Sequence, residues 1–227
     1  MLRIQMIGLA LIAAFTLSAV AASSAMAEHE WLLNGASIAS RVQVNAIGLL
    51  LLADTKTIGG EVKVHCHGYS DGYVGPGKID LVLAVTAELF GTNNRIHCKF
   101  DKAGGCSEAK TPLLLALAVN LPWLTLLHLA TAGGEVRDLI EKDPNGSASG
   151  NPGWKVTCTS IINQETVDEC TAELGSTSLA NVAAGVEGIF DAKSQNATCT
   201  VGGAGAGEVR GPVLLECASA TEKVSFD

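Results

Sequence analysis

Aromatic residues are scarce in this chain: five Phe, three Trp and two Tyr among 227 residues. That excludes a core organised around rings and leaves Val, Leu, Ile and Ala to build it. A polar stripe at 3.6-residue spacing is missing as well. Even the Leu- and Ala-rich stretch 112–129 lacks one, and Pro122 interrupts it, so helical evidence is thin. No Lys/Arg cluster occurs and acidic side chains outnumber basic ones 23 to 15. A phosphate backbone repels such a chain, so nucleic acid is not an expected partner. The apolar runs Ile47–Ala53 and Pro112–Val119 are too short to cross a bilayer.

The familiar catalytic words are absent too. "GSASG" (Gly146–Gly150) carries Ala148 where a nucleophile elbow needs serine. No H-E-x-x-H occurs. "GGAGAG" (Gly202–Gly207) fails G-x-G-x-x-G and runs into a strand pattern instead of a helix, which suits a hairpin turn better than a phosphate loop.

What is present starts with a leader. Arg3, the apolar run Ile7–Val20 and Ala25-Met26-Ala27 have the order of a cleavable signal peptide over residues 1–27. The remaining 200 residues lose only Arg3 among the charged residues, so 14 basic and 23 acidic side chains leave a net charge of −9. The expectation is a secreted or cell-surface protein whose mature chain has no transmembrane span.

Period-two alternation dominates that mature chain. In Lys78–Leu89 the residues Ile79, Leu81, Leu83, Val85, Ala87 and Leu89 share one face, and Asp80, Thr86 and Glu88 the other. This reads as a half-buried strand with its apolar face inward. Val62–His67 and Trp154–Cys158 alternate in the same way. Stretch 112–129 reads as two strands joined near Asn120-Leu121-Pro122, and 136–142 as a short helix or another strand. Turn signals such as Asn34-Gly35, Gly59-Gly60 and Gly104-Gly105 recur every 8–15 residues. The predicted fold class is all-β, a disulfide-stapled sandwich or barrel-like sheets in two lobes. Residues 143–153, "DPNGSASGNPG", form a linker or long loop between an N-terminal β lobe (28–142) and a C-terminal one (154–227).

The segments "GYVGPG" (Gly72–Gly77), "NLPW" (Asn120–Trp123), "GWKVTC" (Gly153–Cys158) and "GGAGAGEVRG" (Gly202–Gly211) occur in this order. Together they resemble a family of uncharacterised secreted actinobacterial proteins over nearly all of the mature chain. The resemblance implies export and carries no activity, cofactor or substrate. It also implies that six of the seven cysteines recur, namely Cys66, Cys98, Cys106, Cys158, Cys170 and Cys199, with Cys217 as the addition.

Six cysteines allow fifteen connectivities. Local geometry favours Cys98–Cys106 around the "FDKAGG" turn and Cys158–Cys170 across a turn near 163–166. Those choices leave Cys66–Cys199 to join the halves. Cys217 is then a spare thiol or the bridge of a disulfide dimer.

The histidines make the sharpest chemical candidate. On a strand, His65 and His67 face opposite to Cys66, and His97 faces opposite to Cys98. Were the two strands neighbours, Cys66 and Cys98 could bridge inside while His65, His67 and His97 met outside, a set suited to zinc or copper. Lys63 and Lys99 on the same faces oppose a cation there, and polar residues on a solvated face explain the pattern more simply. An imidazole next to a cysteine on a strand points away from its sulfur and cannot activate it. Asp71 and Asp80 are not assigned as a carboxylate dyad, and Trp31, Trp123 and Trp154 are expected as core anchors rather than ligand-stacking platforms. The function expected is that of an exported, non-catalytic binding or structural module without a cofactor. The alternatives are an extracellular hydrolase whose site forms only in the fold, and a His-based metal binder.

Overall fold

The computed structural model describes residues 29–86, 95–111, 114–129, 135–146, 150–191 and 197–227. The leader-like segment 1–27 lies outside them. Among the described residues there is no α-helix, and one 3-10 turn spans Glu108–Lys110. The expected all-β class is what the chain adopts.

Strands β1 (Trp31–Leu33) and β2 (Ala36–Ser37) open the chain, and two long strands follow, β3 (Val42–Asp54) and β4 (Val62–Val74). Next come β5 (Ile79–Thr86), β6 (Arg95–Ala103), β7 (Leu114–Val119), β8 (Trp123–Leu129) and β9 (Val136–Lys142). After them run β10 (Gly153–Thr159), β11 (Glu165–Thr171), β12 (Leu174–Asn181), β13 (Val186–Phe190) and β14 (Ala197–Cys199). The third long strand, β15 (Gly203–Cys217), leads to β16 (Val224–Phe226). Their pairings are antiparallel throughout.

The large sheet closes on itself twice. A first barrel runs β3-β4-β5-β8-β9-β12-β13-β15 and back to β3; a second runs β3-β4-β6-β7-β10-β11-β14-β15 and back to β3. Closure removes the exposed edges that open sheets must protect. The three long strands are common to both barrels. One half of β4 pairs with β6 as far as His67↔His97, and the other half with β5 from Tyr69↔Thr86 onward. Likewise β15 serves β14 with its first half and β13 with its second.

Glycines mark this waist. Gly68 pairs with Gly48, and a Cβ on Gly68 would lie 2.4 Å from Ile96. Gly211, at φ +127°, sits so close to β3 that a Cβ would lie 2.2 Å from the Leu49 carbonyl oxygen. Only a residue without a side chain fits there.

The two-lobe division needs correction. Residues 143–153 do not separate the barrels, because each barrel takes strands from both sides of that loop. The chain alternates instead: after β3 and β4 it adds β5 to the first barrel, β6 and β7 to the second, β8 and β9 to the first, β10 and β11 to the second, β12 and β13 to the first, and β14 to the second. Stretch 112–129 does hold two strands, and 136–142 is a strand.

Strand β5 corrects a facing. Asp80 and Thr86 are buried, while Ile79 and Leu83 are 41% and 42% exposed. Alternation along a strand defines two faces without naming the inner one. A bulge opposite Asp71 and Gly72, which skips Leu83, shifts the phase midway. Residues 87–89 lie outside the described residues.

The disulfides are Cys66–Cys98, Cys106–Cys158 and Cys170–Cys199, so all three favoured pairings are overturned. Cys98 lies directly across from Cys66, because β6 returns alongside β4. The β10–β11 turn closes at Ser160–Gln164, earlier than expected, which sets Cys158 against Thr166 and Cys170 against Trp154. Cys170 instead faces Cys199 across β14. Cys66 and Cys199 are kept apart by β3 and β15. All three bridges tie the second barrel.

The chain ends close one end of the first barrel. Strands β2, β1 and β16 make a small sheet, and Trp31, Ile38, Val44, Val74, Leu127, Val186, Cys217 and Val224 form the core beneath it. The Trp31 backbone N–H donates to the Gly77 carbonyl at 2.8 Å, and Asn181 Nδ2 donates to the Phe226 carbonyl at 2.7 Å. Cys217 is the unpaired cysteine and is buried in this cluster. Burial pushes its thiol above the ordinary range, so a bond to a second molecule first requires the cap to open.

Candidate functional site

The lumen of the first barrel holds a cavity of about 120 Å³ to which all eight strands and Trp31 of the cap contribute. Its wall is mostly apolar, with Ile140, Phe190, Val186 and Leu215 among the lining residues. Two carboxyls interrupt that wall. In "IDLVL" of β5, Asp80 and Val82 turn inward; in "VRDLIEK" of β9, Asp138 and Ile140 do so. Strand β8 lies between them and sends Trp123, Thr125 and Leu127 to the same side. Asp80 is directly opposite Thr125, and Asp138 is opposite Leu127, one inward position further along.

Burial dominates the electrostatics. It drives the Asp80 carboxyl well above the usual carboxylate range, and the neighbouring Asp138 charge pushes the same way. Asp138 is pushed up to about 7, again chiefly by burial. Thr125 lies close enough to favour the charged form of both. Its hydroxyl nevertheless meets neither in hydrogen-bonding geometry, and Thr125 Oγ1, Asp80 Oδ1, Asp138 Oδ1 and Trp31 Nε1 all lack a partner. An unsatisfied buried polar group costs about 1–3 kcal/mol, so three on residues lining one cavity, with Thr125 beside them, form a conspicuous concentration. Arg137 Nε, next to Asp138 in the chain, is also buried without a partner, while other polar groups nearby are satisfied. The Ser176 hydroxyl accepts from the Asp138 backbone N–H at 2.8 Å, and Trp123 Nε1 donates to the Val119 carbonyl at 2.8 Å.

Neither carboxyl was expected at a site. Asp80 reads as a solvated-face residue, and Asp138 sits between Arg137 and Leu139 in a stretch with no chemical motif. The available signal was a lone acid inside an apolar strand, which becomes meaningful only when the barrel brings two such strands to either side of a third. Asp71 is not Asp80's partner. Trp154 and Trp31 are the buried anchors that were expected, and Trp31 and the half-buried Trp123 also line the cavity.

The histidines lie elsewhere. His65, His67 and His97 are exposed on the outer face of the second barrel, with His67 opposite His97 and His65 opposite Lys99. The His65 ring is 3.9 Å from Asp101, and His67 packs edge-on against Tyr69 with centroids 5.4 Å apart. Among the described residues, one set of His, Cys, Asp or Glu has ligand atoms all within 4.8 Å of one another, and it is Asp54, Asp168, Cys170 and Cys199. The two sulfurs of that set are bonded to each other. Asp54 accepts from the Lys56 and Gly202 backbone N–H groups, and Asp168 from Thr200 and Val201. This set is a hydrogen-bonded turn. Burial and the adjoining Asp54 raise Asp168 to about 6.

A second cavity, of about 170 Å³, opens at the far end of the second barrel between Thr57, Val62, Cys106, Val156 and Val201. Ile58, Ile161 and Ile162 project from hairpin tips at this end. It offers apolar surface without a set of unpartnered polar groups.

No protein-family model, curated protein or solved structure matches the chain.

Proposed function

We propose that the protein is an exported, non-catalytic binding module of the cell envelope or extracellular space, and that it binds a small molecule in the lumen of the first barrel. One observation carries this reading: three unpartnered polar atoms, Asp80 Oδ1, Asp138 Oδ1 and Trp31 Nε1, belong to residues lining a mostly apolar internal cavity. Concave apolar sites with a few convergent polar groups are the usual form of small-ligand sites, and barrel interiors are a common setting. Export is supported by the leader pattern of 1–27 and by three disulfides, which persist in oxidising compartments. A hydrolase reading is less favoured. The carboxyl pair lies inside a barrel whose cavity is too small for a polymer, and no nucleophile–base pair borders it.

A thermal-shift screen of compounds of eight or fewer heavy atoms tests the reading, with Ala46→Leu as the control that fills the lumen. Ligands that raise the melting temperature of the native protein but not of Ala46→Leu support it. A screen in which no compound stabilises the native protein more than the filled variant overturns it.

A further inference from the structure

Building on the reading of the lumen as a binding site, we infer that its ligand is a small primary amine, with the ammonium held by Asp80 and Asp138 and an apolar body of roughly four to six carbons in the remaining space. The count of partners argues for this. Two of the three unpartnered atoms on lining residues are carboxyl oxygens, Asp80 Oδ1 and Asp138 Oδ1, and Thr125 Oγ1, also unpartnered, belongs to the strand between them. An ammonium brings three donors and no acceptor, whereas an alcohol brings one donor and a primary amide two.

Charge argues the same way. Two carboxyls in one apolar lumen repel each other when ionised, and a cation between them turns that repulsion into two charge-assisted hydrogen bonds. An anionic ligand meets the opposite situation. Size sets the body: the cavity of about 120 Å³ is somewhat smaller than an apolar cavity of about 150 Å³ known to take benzene. Trp31 Nε1 is an unpartnered donor on a lining residue, and a hydroxyl or ether oxygen at the far end of the amine satisfies it.

Capture of an ammonium is linked to protons. Among the described residues, Asp80 and Asp138 are the titratable ones lining the lumen, while Arg137 beside Asp138 alternates to the outer face with its Nε buried and unpartnered. Burial raises both carboxyls, Asp138 to about 7. Binding the cation therefore expels proton from them, and affinity rises from pH 6 to pH 8.

The experiment titrates the protein with butylamine and cyclopentylamine, and with 1-butanol and cyclopentanol as neutral counterparts, at pH 6 and pH 8. Tryptophan fluorescence reads occupancy through Trp31 and Trp123, and calorimetry in two buffers counts released protons. The amines are expected to bind at least tenfold tighter than the alcohols at pH 8, with proton release, and more weakly at pH 6. Asp138→Asn should lose at least tenfold in amine affinity and leave alcohol affinity unchanged. Should that variant not fold, the proton count on the native protein decides. Alcohols binding as well as amines, or amine binding without proton release, overturns the amine assignment and leaves the binding reading intact. Failure of these four compounds alongside hits of other chemistry in the wider screen also overturns the assignment alone, and failure of every compound overturns both.

Discussion

The two barrels share three strands and differ in nearly everything inside. The second is filled by Val64, Ile96, Leu114, Ala116, Trp154, Val156 and Ala197 and crossed by all three disulfides. The first has no disulfide, places a carboxyl pair inside, and leaves three polar atoms unpartnered on residues lining a cavity. Such groups oppose folding, and a protein keeps them where function requires them and stability is supplied from elsewhere. Here the supply is next door: β3, β4 and β15 leave the stapled barrel with register and curvature already set and continue as three walls of the first barrel.

Reduction is the harshest way to break this contrast. The bridges close loops with sequence separations of 32, 52 and 29 residues, each contributing about 3–4 kcal/mol on a chain-entropy account. Reduced protein should lose both barrels together by far-UV circular dichroism and hydrogen exchange. Protection that survives in β8, β9 and β12 while β7 and β10 exchange freely would show that the first barrel stands alone. A smaller effect, about 2–4 kcal/mol, is expected from Gly211→Ala at the waist, where both the positive φ and the Leu49 carbonyl oppose a side chain. Gly203→Ala has a positive φ but open space and should cost only about 1–2 kcal/mol. Urea melts of the two variants compare them, and equal losses would remove the waist's special status.

The pH dependence sharpens the comparison from the side of the first barrel. The Asp138 carboxyl is held up to about 7 in the folded protein, against an ordinary value of 3.8. The folded state therefore keeps a proton that the unfolded chain has already released. Its contribution to stability is greatest at acid pH and is lost as pH rises through 7. Between pH 5 and pH 8 the loss should be about 2–3 kcal/mol, and Asp138→Asn should abolish that part of the slope in denaturation curves at the two pH values. The smallest effect belongs to Cys217→Ala under the cap, about 1 kcal/mol, with thiol labelling of the native protein slow until denaturant is added.

Local pattern foretold the strands well and their company poorly. Val64 and Cys66 inside with His65 and His67 outside follows from alternation together with the polarity of the histidines, and the break near Pro122 follows from the proline. Alternation cannot say which face of β5 looks into a barrel, and the skipped Leu83 changes the answer within one strand. The disulfides turned on register: a β10–β11 turn placed a few residues too late paired Cys158 with Cys170, when Cys170 faces Cys199. The carboxyl pair lay furthest from view. Asp80 and Asp138 are 58 positions apart, and β8 brings them together only after the chain has visited the other barrel.

That itinerary has a consequence for how the protein could have arisen and can be altered. A tandem domain can be copied, deleted or exchanged with a single pair of cuts. Here the chain weaves from one barrel to the other at each step between β4 and β15, so no contiguous segment encodes either barrel. Any splice that removes one leaves the other with gaps in its wall. The molecule is inherited and engineered as an undivided cloth, and new binding properties have to come from changes in the lumen wall, not from trading modules.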